Sequence, residues 1–216
     1  MTANLLSKPI LCLVTDRKLC PNKALVEKIS LAVEGGVNMV QVREKDMSTD
    51  DLLELAKAIQ YRIRNRALLI VNGDVDVALG CGADGLHIGK GYTGPISAPT
   101  TVSHNLILGR SVHSVEDAKA SQVLGADYLI AGSVFATESH PGRIPSGIRL
   151  IEDMASSICL PYLGIGGINS CNAAQVVIKG ASGVAVIRAI LSSDQPGESA
   201  RTLYNVINKA WDLRVT

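Results

Sequence analysis

The sequence predicts an α/β protein, a (β/α)8 TIM barrel formed by a single domain over residues 1–216. Helical stretches end at glycines that precede short apolar runs, at 34–37, 82–86, 125–129 and 180–184. A glycine there is typical of the C′ position that ends a helix before the next strand. The chain is also long enough for eight such helix and strand units, and their alternation favours a barrel of parallel strands.

Eight apolar runs are predicted to be strands, with helices mostly between them. They are residues 11–15, 37–43, 67–71, 84–88, 106–110, 127–132, 161–165 and 183–187. A doubly wound open sheet is the alternative, but the Gly-x-Gly-x-x-Gly turn that usually follows its first strand is absent. Residues 92–104 contain two prolines, so the fourth helix is expected to be short or irregular.

The composition indicates a packed core and excludes several classes of protein. The chain is 47% apolar, and its formal net charge of +1 gives no basic footprint for nucleic acid or anionic membranes. No run of about 20 apolar residues could span a bilayer and no secretory signal is evident, so a soluble cytoplasmic protein is expected. A small-molecule partner is expected, and assembly into a homo-oligomer stays open.

The cysteines predict neither a metal site nor a disulfide framework. They are Cys12, Cys20, Cys81, Cys159 and Cys171. Their number is odd and no two form a Cys-x-x-Cys pair, so buried thiols are the expected state for most of them. No metal and no cofactor is predicted.

The end of the second predicted strand has the pattern of an anion site. Gln41, Arg43 and Lys45 occupy alternate positions, and side chains of a strand alternate between its faces. Two cations and an amide therefore project together. The alternative is a solvated edge on which Glu44 and Asp46 pair with the two cations.

Other polar residues follow the remaining strands, where the active sites of such barrels gather. Asn72, Ser111 and His113 are candidates of this kind. Gly166 and Gly167 close the seventh strand and lead toward a helix expected to be capped by Asn169 or Ser170. A close backbone approach beside a helix N-terminus is typical of a phosphate site, although an ordinary turn is the alternative.

Taken together, the motifs resemble the thiamin phosphate synthase and TenI superfamily. They are Gln41-Val-Arg-Glu-Lys45, Val71-Asn72, Ala83-Asp-Gly-Leu-His-Ile-Gly89, Ser111-Val-His113, Gly125-Ala-Asp-Tyr128, Ile165-Gly-Gly-Ile168 and Gly183-Val-Ala-Val-Ile187. The resemblance implies a phosphorylated thiazole ligand. It adds Thr137 and Ser139 to the substrate-binding residues, and it places Ile187 and Arg188 at the end of the eighth strand, beside the phosphate. Arg188 there either adds charge to the phosphate site or points outward from the next helix.

Departures from the synthase pattern favour the TenI branch and a thiazole tautomerase-like isomerase. The resemblance implies magnesium held by two aspartates in synthases, and those positions here are Gly73 and Tyr92. The lysine of the synthase loop is replaced by His140. Tautomerisation needs no metal, so magnesium-dependent condensation of a pyrimidine diphosphate with a thiazole phosphate is expected to be weak or absent. A synthase stays open as an alternative, as does a non-catalytic binder of thiazole phosphate or thiamin phosphate.

One departure counts against the tautomerase. Ser133 occupies the position of the acid/base histidine of TenI proteins, and a serine hydroxyl cannot act as a proton shuttle near neutral pH without a base. His140 is the expected substitute because it lies in a Gly- and Pro-containing loop that could close over the site. His113 is the second candidate.

Overall fold

The computed structural model describes residues 9–20, 24–89, 106–137, 142 and 144–215. Eight parallel strands pair in chain order and close into a barrel, because the last strand pairs with the first. The strands are β1 (Ile10–Val14), β2 (Met39–Val42), β3 (Leu68–Asn72), β4 (Gly85–Ile88), β5 (Ile107–Val112), β6 (Tyr128–Gly132), β7 (Tyr162–Ile165) and β8 (Gly183–Val186). The predicted barrel is confirmed, and the predicted strand ends differ from these by no more than two residues.

Helices follow the strands on the outside of the barrel. They are α1 (Leu25–Glu34), α2 (Thr49–Ile63), α3 (Val75–Gly80), α4 (Val115–Val123), α5 (Gly147–Ala155), α6 (Ala173–Ile178), α7 (Arg188–Leu191) and α8 (Pro196–Val215), with a short 3-10 turn at Arg17–Leu19. The irregular fourth helix expected at 92–104 lies outside the described residues. Among the described helices, none is both long and apolar enough to cross a membrane.

The repeated glycines end helices as the sequence pattern predicts. Gly36, Gly82, Gly125 and Gly180 follow α1, α3, α4 and α6, and their φ angles are 115°, 66°, 79° and 120°. A residue with a Cβ atom pays a steric penalty at such angles, so glycine lets each helix stop and the chain turn back to the barrel.

Apolar side chains form two layers. The inner layer fills the barrel and includes Met39, Ile70 and Tyr128, whereas the outer layer packs the strands against the helices. Tyr128 is fully buried, and its ring passes over Gly109, where an added Cβ would lie 2.2 Å from the Tyr128 Cζ atom. Beyond this filled interior, a cavity lies at the carboxyl ends of the strands.

Candidate functional site

A cavity of about 910 Å³ opens at the carboxyl ends of the strands. Twelve of the residues predicted from sequence line it: Gln41, Arg43, Lys45, Asn72, Ser111, His113, Ser133, Thr137, Gly166, Gly167, Ile187 and Arg188. Ser139 and His140, also predicted, lie outside the described residues. The structure therefore brings the described candidates together, whereas the role of each stays a prediction.

Arg43 and Lys45 lie just after the end of β2, and both line the cavity. Gln41 lies within β2, two residues after Met39 of the inner layer, whereas β2 ends at Val42. The Arg43 backbone N–H donates to Thr15 Oγ1 at 2.9 Å, which extends the alternation past the strand end. Arg43 and Lys45 consequently line the same cavity as Gln41.

The acidic residues next to these cations are held by other partners. Glu44 is buried and accepts hydrogen bonds from the Arg17 backbone N–H at 3.0 Å and from Arg17 Nη1 at 3.2 Å. Asp46 pairs with Arg17 at 2.5 Å and with Lys18 at 3.1 Å. The hydrogen bond from Arg17, and to a smaller extent that from Lys18, holds the pKa of Asp46 below its usual range. The solvated-edge alternative, in which Glu44 and Asp46 pair with Arg43 and Lys45, is therefore wrong.

His87 is a neutral, buried group that also lines the cavity. Its Nε2 lies 2.8 Å from Ser111 Oγ and its Nδ1 lies 3.1 Å from the Tyr128 hydroxyl. Burial, and then the nearby charges of Arg43 and Arg110, lower the pKa of His87 to about 3. Beside this pair, Gln41 Nε2 is buried and has no hydrogen-bond partner among the described residues, so it can donate to a ligand.

His113 lines the cavity where β5 ends. Its Nδ1 is hydrogen-bonded to the carbonyl oxygen of Gly132. A carbonyl can only accept, so Nδ1 is the donor in this hydrogen bond. Ser133 follows Gly132, and its carbonyl accepts from the Ser146 N–H at 2.8 Å, which anchors the loop after β6.

The loop after β7 packs directly against the loop after β6. The Val134 and Phe135 N–H groups donate to the carbonyls of Ile165 and Gly166 at 2.8 and 3.0 Å. Gly166 and Gly167 have φ angles of 103° and 62°, and a Cβ on Gly167 would lie 2.3 Å from the Ala136 carbonyl oxygen. Glycine is needed here for loop packing as well as for any close approach of a ligand.

The amides of this loop are available to an anion. No hydrogen bond between described residues uses the N–H of Gly166 or Gly167. The expectation that Asn169 or Ser170 caps a helix is wrong, because α6 begins only at Ala173. The Asn169 side chain accepts instead from the Cys171 N–H at 2.9 Å, which forms a local turn. Any phosphate site here would use loop amides rather than a helix N-terminus.

Sequence reasoning based on polar residues missed the apolar walls of the cavity. Ile130 and Ile165 line it, as do Val14 and Ala185. The sequence did contain a signal for one of these residues. Ile130 follows the inward-facing Tyr128 by two positions, so its side chain points in the same direction. These walls suit the flat face of an aromatic ring.

The described part of the site does not fit a magnesium ion. No carboxylate lines the described cavity, and no group of three or more His, Cys, Asp and Glu side chains in the described residues could hold a metal. Gly73 has no side chain to offer. Its neighbour Asp74 caps α3 by accepting from the Val77 N–H at 3.0 Å, and it also accepts from Thr49 Oγ1 at 3.3 Å.

Comparisons with known proteins agree on one family. The family model described as thiamine monophosphate synthase matches residues 11–190. A thiamine-phosphate synthase of Roseiflexus sp. (strain RS-1) is 39% identical over 95% of this chain and 88% of its own. One from Clostridium acetobutylicum is 36% identical over 92% of this chain and 95% of its own. The solved thiamine phosphate pyrophosphorylase from Pyrococcus furiosus has a TM-score of 0.85 and 36% identity, and covers 96% of this chain and 99% of that one.

These relatives confirm the superfamily and correct the predicted activity. The prediction of a thiazole tautomerase-like isomerase is wrong, because the similar proteins at 36–39% identity are named synthases, which are transferases. The prediction rested on a few lost side chains, chiefly at Gly73 and Tyr92, whereas the similarity extends over most of the chain. His140 was expected to be the acid/base group of the tautomerisation, so that role is no longer supported.

Proposed function

Because the chain belongs to the thiamine monophosphate synthase family, we propose that it condenses a pyrimidine methyl diphosphate with a thiazole phosphate. The bond between the methylene carbon of the pyrimidine and the diphosphate oxygen breaks, and a bond from that carbon to the thiazole nitrogen forms. Thiamine phosphate and pyrophosphate are the products. Both substrates are small phosphorylated molecules, which a cavity of about 910 Å³ can enclose.

The observation that carries this proposal is the presence of two separate groups of anion-binding atoms in one cavity. Arg43 and Lys45 follow β2, whereas the amides of Gly166 and Gly167 follow β7, with β8 and β1 between them around the barrel. A reaction between a diphosphate and a monophosphate needs two such groups. The apolar residues between them suit the two rings that must react.

The chemistry of this condensation also explains the departure at Ser133. The thiazole nitrogen attacks through its lone pair and becomes positively charged, so no proton moves at the reacting atoms. A histidine at position 133 is therefore unnecessary. The main electrostatic demand is the charge that develops on the departing diphosphate, which Arg43 and Lys45 can stabilise.

The direct test supplies both substrates and measures both products. We expect thiamine phosphate, detected by fluorescence after oxidation, and pyrophosphate, detected by a coupled phosphate assay, in equal amounts. The reaction is run with magnesium and with excess chelator, so that activity is detected whatever its metal requirement. Absence of product under both conditions would overturn the proposed function.

Variants assign the activity to the cavity. Arg43→Met removes charge-assisted hydrogen bonds to the diphosphate, so kcat/KM should fall by about tenfold or more. Lys57→Met is the matched control, because Lys57 lies on α2 and pairs with Glu54 at 3.0 Å, away from the cavity. An Arg43→Met enzyme as active as the control would show that the cation group after β2 does not serve the reaction.

A further inference from the structure

We propose that this site binds its diphosphate group through protein cations alone, without a divalent cation. The proposal rests on the proposed function for the identity of the ligand, and it names what neutralises the charge of that ligand. Its basis is an imbalance of charge in the described cavity, which has basic side chains and loop amides but no carboxylate. A hard cation such as Mg²⁺ is normally held through at least one or two carboxylates.

The carboxylates near the cavity are already engaged in other contacts. Glu44 is 6% exposed and bonded to Arg17, which also binds Asp46. Asp16 accepts from the Lys18 N–H at 3.2 Å, in the turn that follows β1. Asp74 caps α3. None of these carboxylates lines the cavity, so a metal bound there would reach them only if their side chains moved.

Unlike these carboxylates, the two cations after β2 are available to a ligand. Arg43 and Lys45 have no ion-pair partner among the described residues, although they line the cavity. Arg17 holds Glu44 away from them, so the alternation of base, acid and base in 43–45 gives a site with two unneutralised positive charges. An arginine fork and a lysine ammonium suit a diphosphate, because both donate several hydrogen bonds to phosphate oxygens.

The segments outside the described residues contribute little acidic charge. Residues 90–105 contain neither Asp nor Glu, and within 138–141 and at 143 the one carboxylate is Glu138. A single carboxylate is the most that these segments could bring to a metal at this site. Glu138→Gln therefore separates a metal held by that residue from a site that uses none.

The first experiment measures binding of inorganic pyrophosphate by calorimetry, in excess chelator and in millimolar Mg²⁺. We expect pyrophosphate to bind in chelator at least as tightly as with Mg²⁺, because Mg²⁺ also complexes pyrophosphate in solution, and Glu138→Gln to behave as the wild type in both conditions. Binding that appears only with Mg²⁺, or no binding under either condition, would overturn the proposal. Metal-free binding without any condensation would instead leave this proposal standing and refute the proposed synthase.

The second experiment adds a carboxylate where the cavity has room for one. Gly73 lines the cavity at φ 77°, a conformation that Asp and Asn tolerate better than most residues, and no described atom lies within 4 Å of an added Cβ. Gly73→Asp should weaken chelator-treated pyrophosphate binding by about tenfold or more, with Mg²⁺ restoring it. Gly73→Asn, of equal shape but uncharged, should keep the metal-independent binding of the wild type. Equal binding by Gly73→Asp and Gly73→Asn in chelator would count against a site governed by charge alone.

Discussion

At the scale of single residues, His87 is a buried ionisable group whose contacts favour its neutral form. Its ring is 1% exposed and is held between the hydroxyls of Tyr128 and Ser111. Both contacts are compatible with a neutral ring, in which one nitrogen donates and the other accepts. Protonation would place a second donor against one of these groups and an unpaired charge in the barrel.

The pKa of His87 predicts a loss of stability in acid. It is about 3 in the folded protein against 6.5 for an ordinary histidine, so the unfolded chain binds the proton first as the pH falls. The contribution to unfolding free energy is therefore fully present above pH 6.5 and is lost as the pH falls from 6.5 toward 3, with a limiting slope of about 1.4 kcal/mol per pH unit.

Urea unfolding of wild type and His87→Gln, from mildly alkaline pH down through this range, tests the prediction. The variant should be less stable by about 1–3 kcal/mol at mildly alkaline pH, because it loses buried hydrogen bonds. It lacks the titrating ring, so the difference between the two proteins should narrow as the pH falls. Parallel stability curves would show that His87 does not titrate in this way.

The cations after β2 show what the sequence could and could not predict at this scale. Alternation predicted that Gln41, Arg43 and Lys45 converge, because side-chain direction on an extended chain is a local property. The partner of Glu44 was not predictable from the same stretch. Arg17 lies 27 residues earlier, and only the pairing of β1 with β2 brings the two together.

At the scale of elements, the loops after β6 and β7 act as one unit that forms a wall of the cavity. Their backbones are joined by two hydrogen bonds, and Gly167 packs against Ala136. The sequence correctly indicated a glycine turn after β7, whereas its helix cap was misplaced. The Asn169 N–H donates to Asn172 Oδ1 at 2.8 Å. Hydrogen bonds of this kind, from the backbone to an Asn side chain, compete with the start of a helix, and composition alone does not predict which of the two forms.

Gly167→Ala is expected to weaken phosphate-ligand binding by about tenfold or more, because displaced loop amides lose their hydrogen bonds to the anion. The added Cβ would meet the Ala136 carbonyl oxygen at 2.3 Å and push the two loops apart. Calorimetric titration with thiazole phosphate measures the effect. Gly147→Ala is the control, since it has a similar φ of 76° but no atom within 4 Å. Equal affinities in the two variants would mean that loop contact is irrelevant to binding.

At the scale of the whole molecule, closure of the barrel depends on the pairing of β8 with β1. Gly183 lies opposite Ile10 at this seam, and an added Cβ would be 2.0 Å from the Ile10 carbonyl oxygen. No side chain fits without moving one strand. The seam joins the first strand of the chain to the last, so of all the strand pairings it is the one most distant in sequence.

We expect Gly183→Ala to lower the unfolding free energy by about 1–3 kcal/mol, because the strands at the seam must separate. Thermal and urea unfolding measure this. Gly89→Ala serves as the control, because no described atom lies within 4 Å of its added Cβ and its stability should change by less than about 0.5 kcal/mol. A Gly183→Ala protein as stable as this control would show that the seam accommodates the extra atom.

The whole fold was more predictable than the activity. The barrel follows from eight apolar runs that alternate with helical stretches, and an error in one run leaves the others intact. The activity was inferred from single positions such as Gly73, where one substitution changes the expected chemistry while the rest of the chain keeps the features of its relatives. The fold was therefore predictable from local periodicity, whereas distinguishing a synthase from an isomerase required similarity along most of the chain.

The contact between Gly109 and Tyr128 restricts the order in which this barrel can evolve. The Tyr128 ring occupies the space in which a side chain at 109 would lie, with 2.2 Å between Cζ and the added Cβ. A lineage can therefore enlarge residue 109 only after residue 128 has become smaller, and the intermediate has a void in its core. We therefore expect the effects of substitutions at the two positions to be non-additive. Tyr128 is also hydrogen-bonded to His87, so a change in packing would alter the hydrogen bonding at the cavity as well.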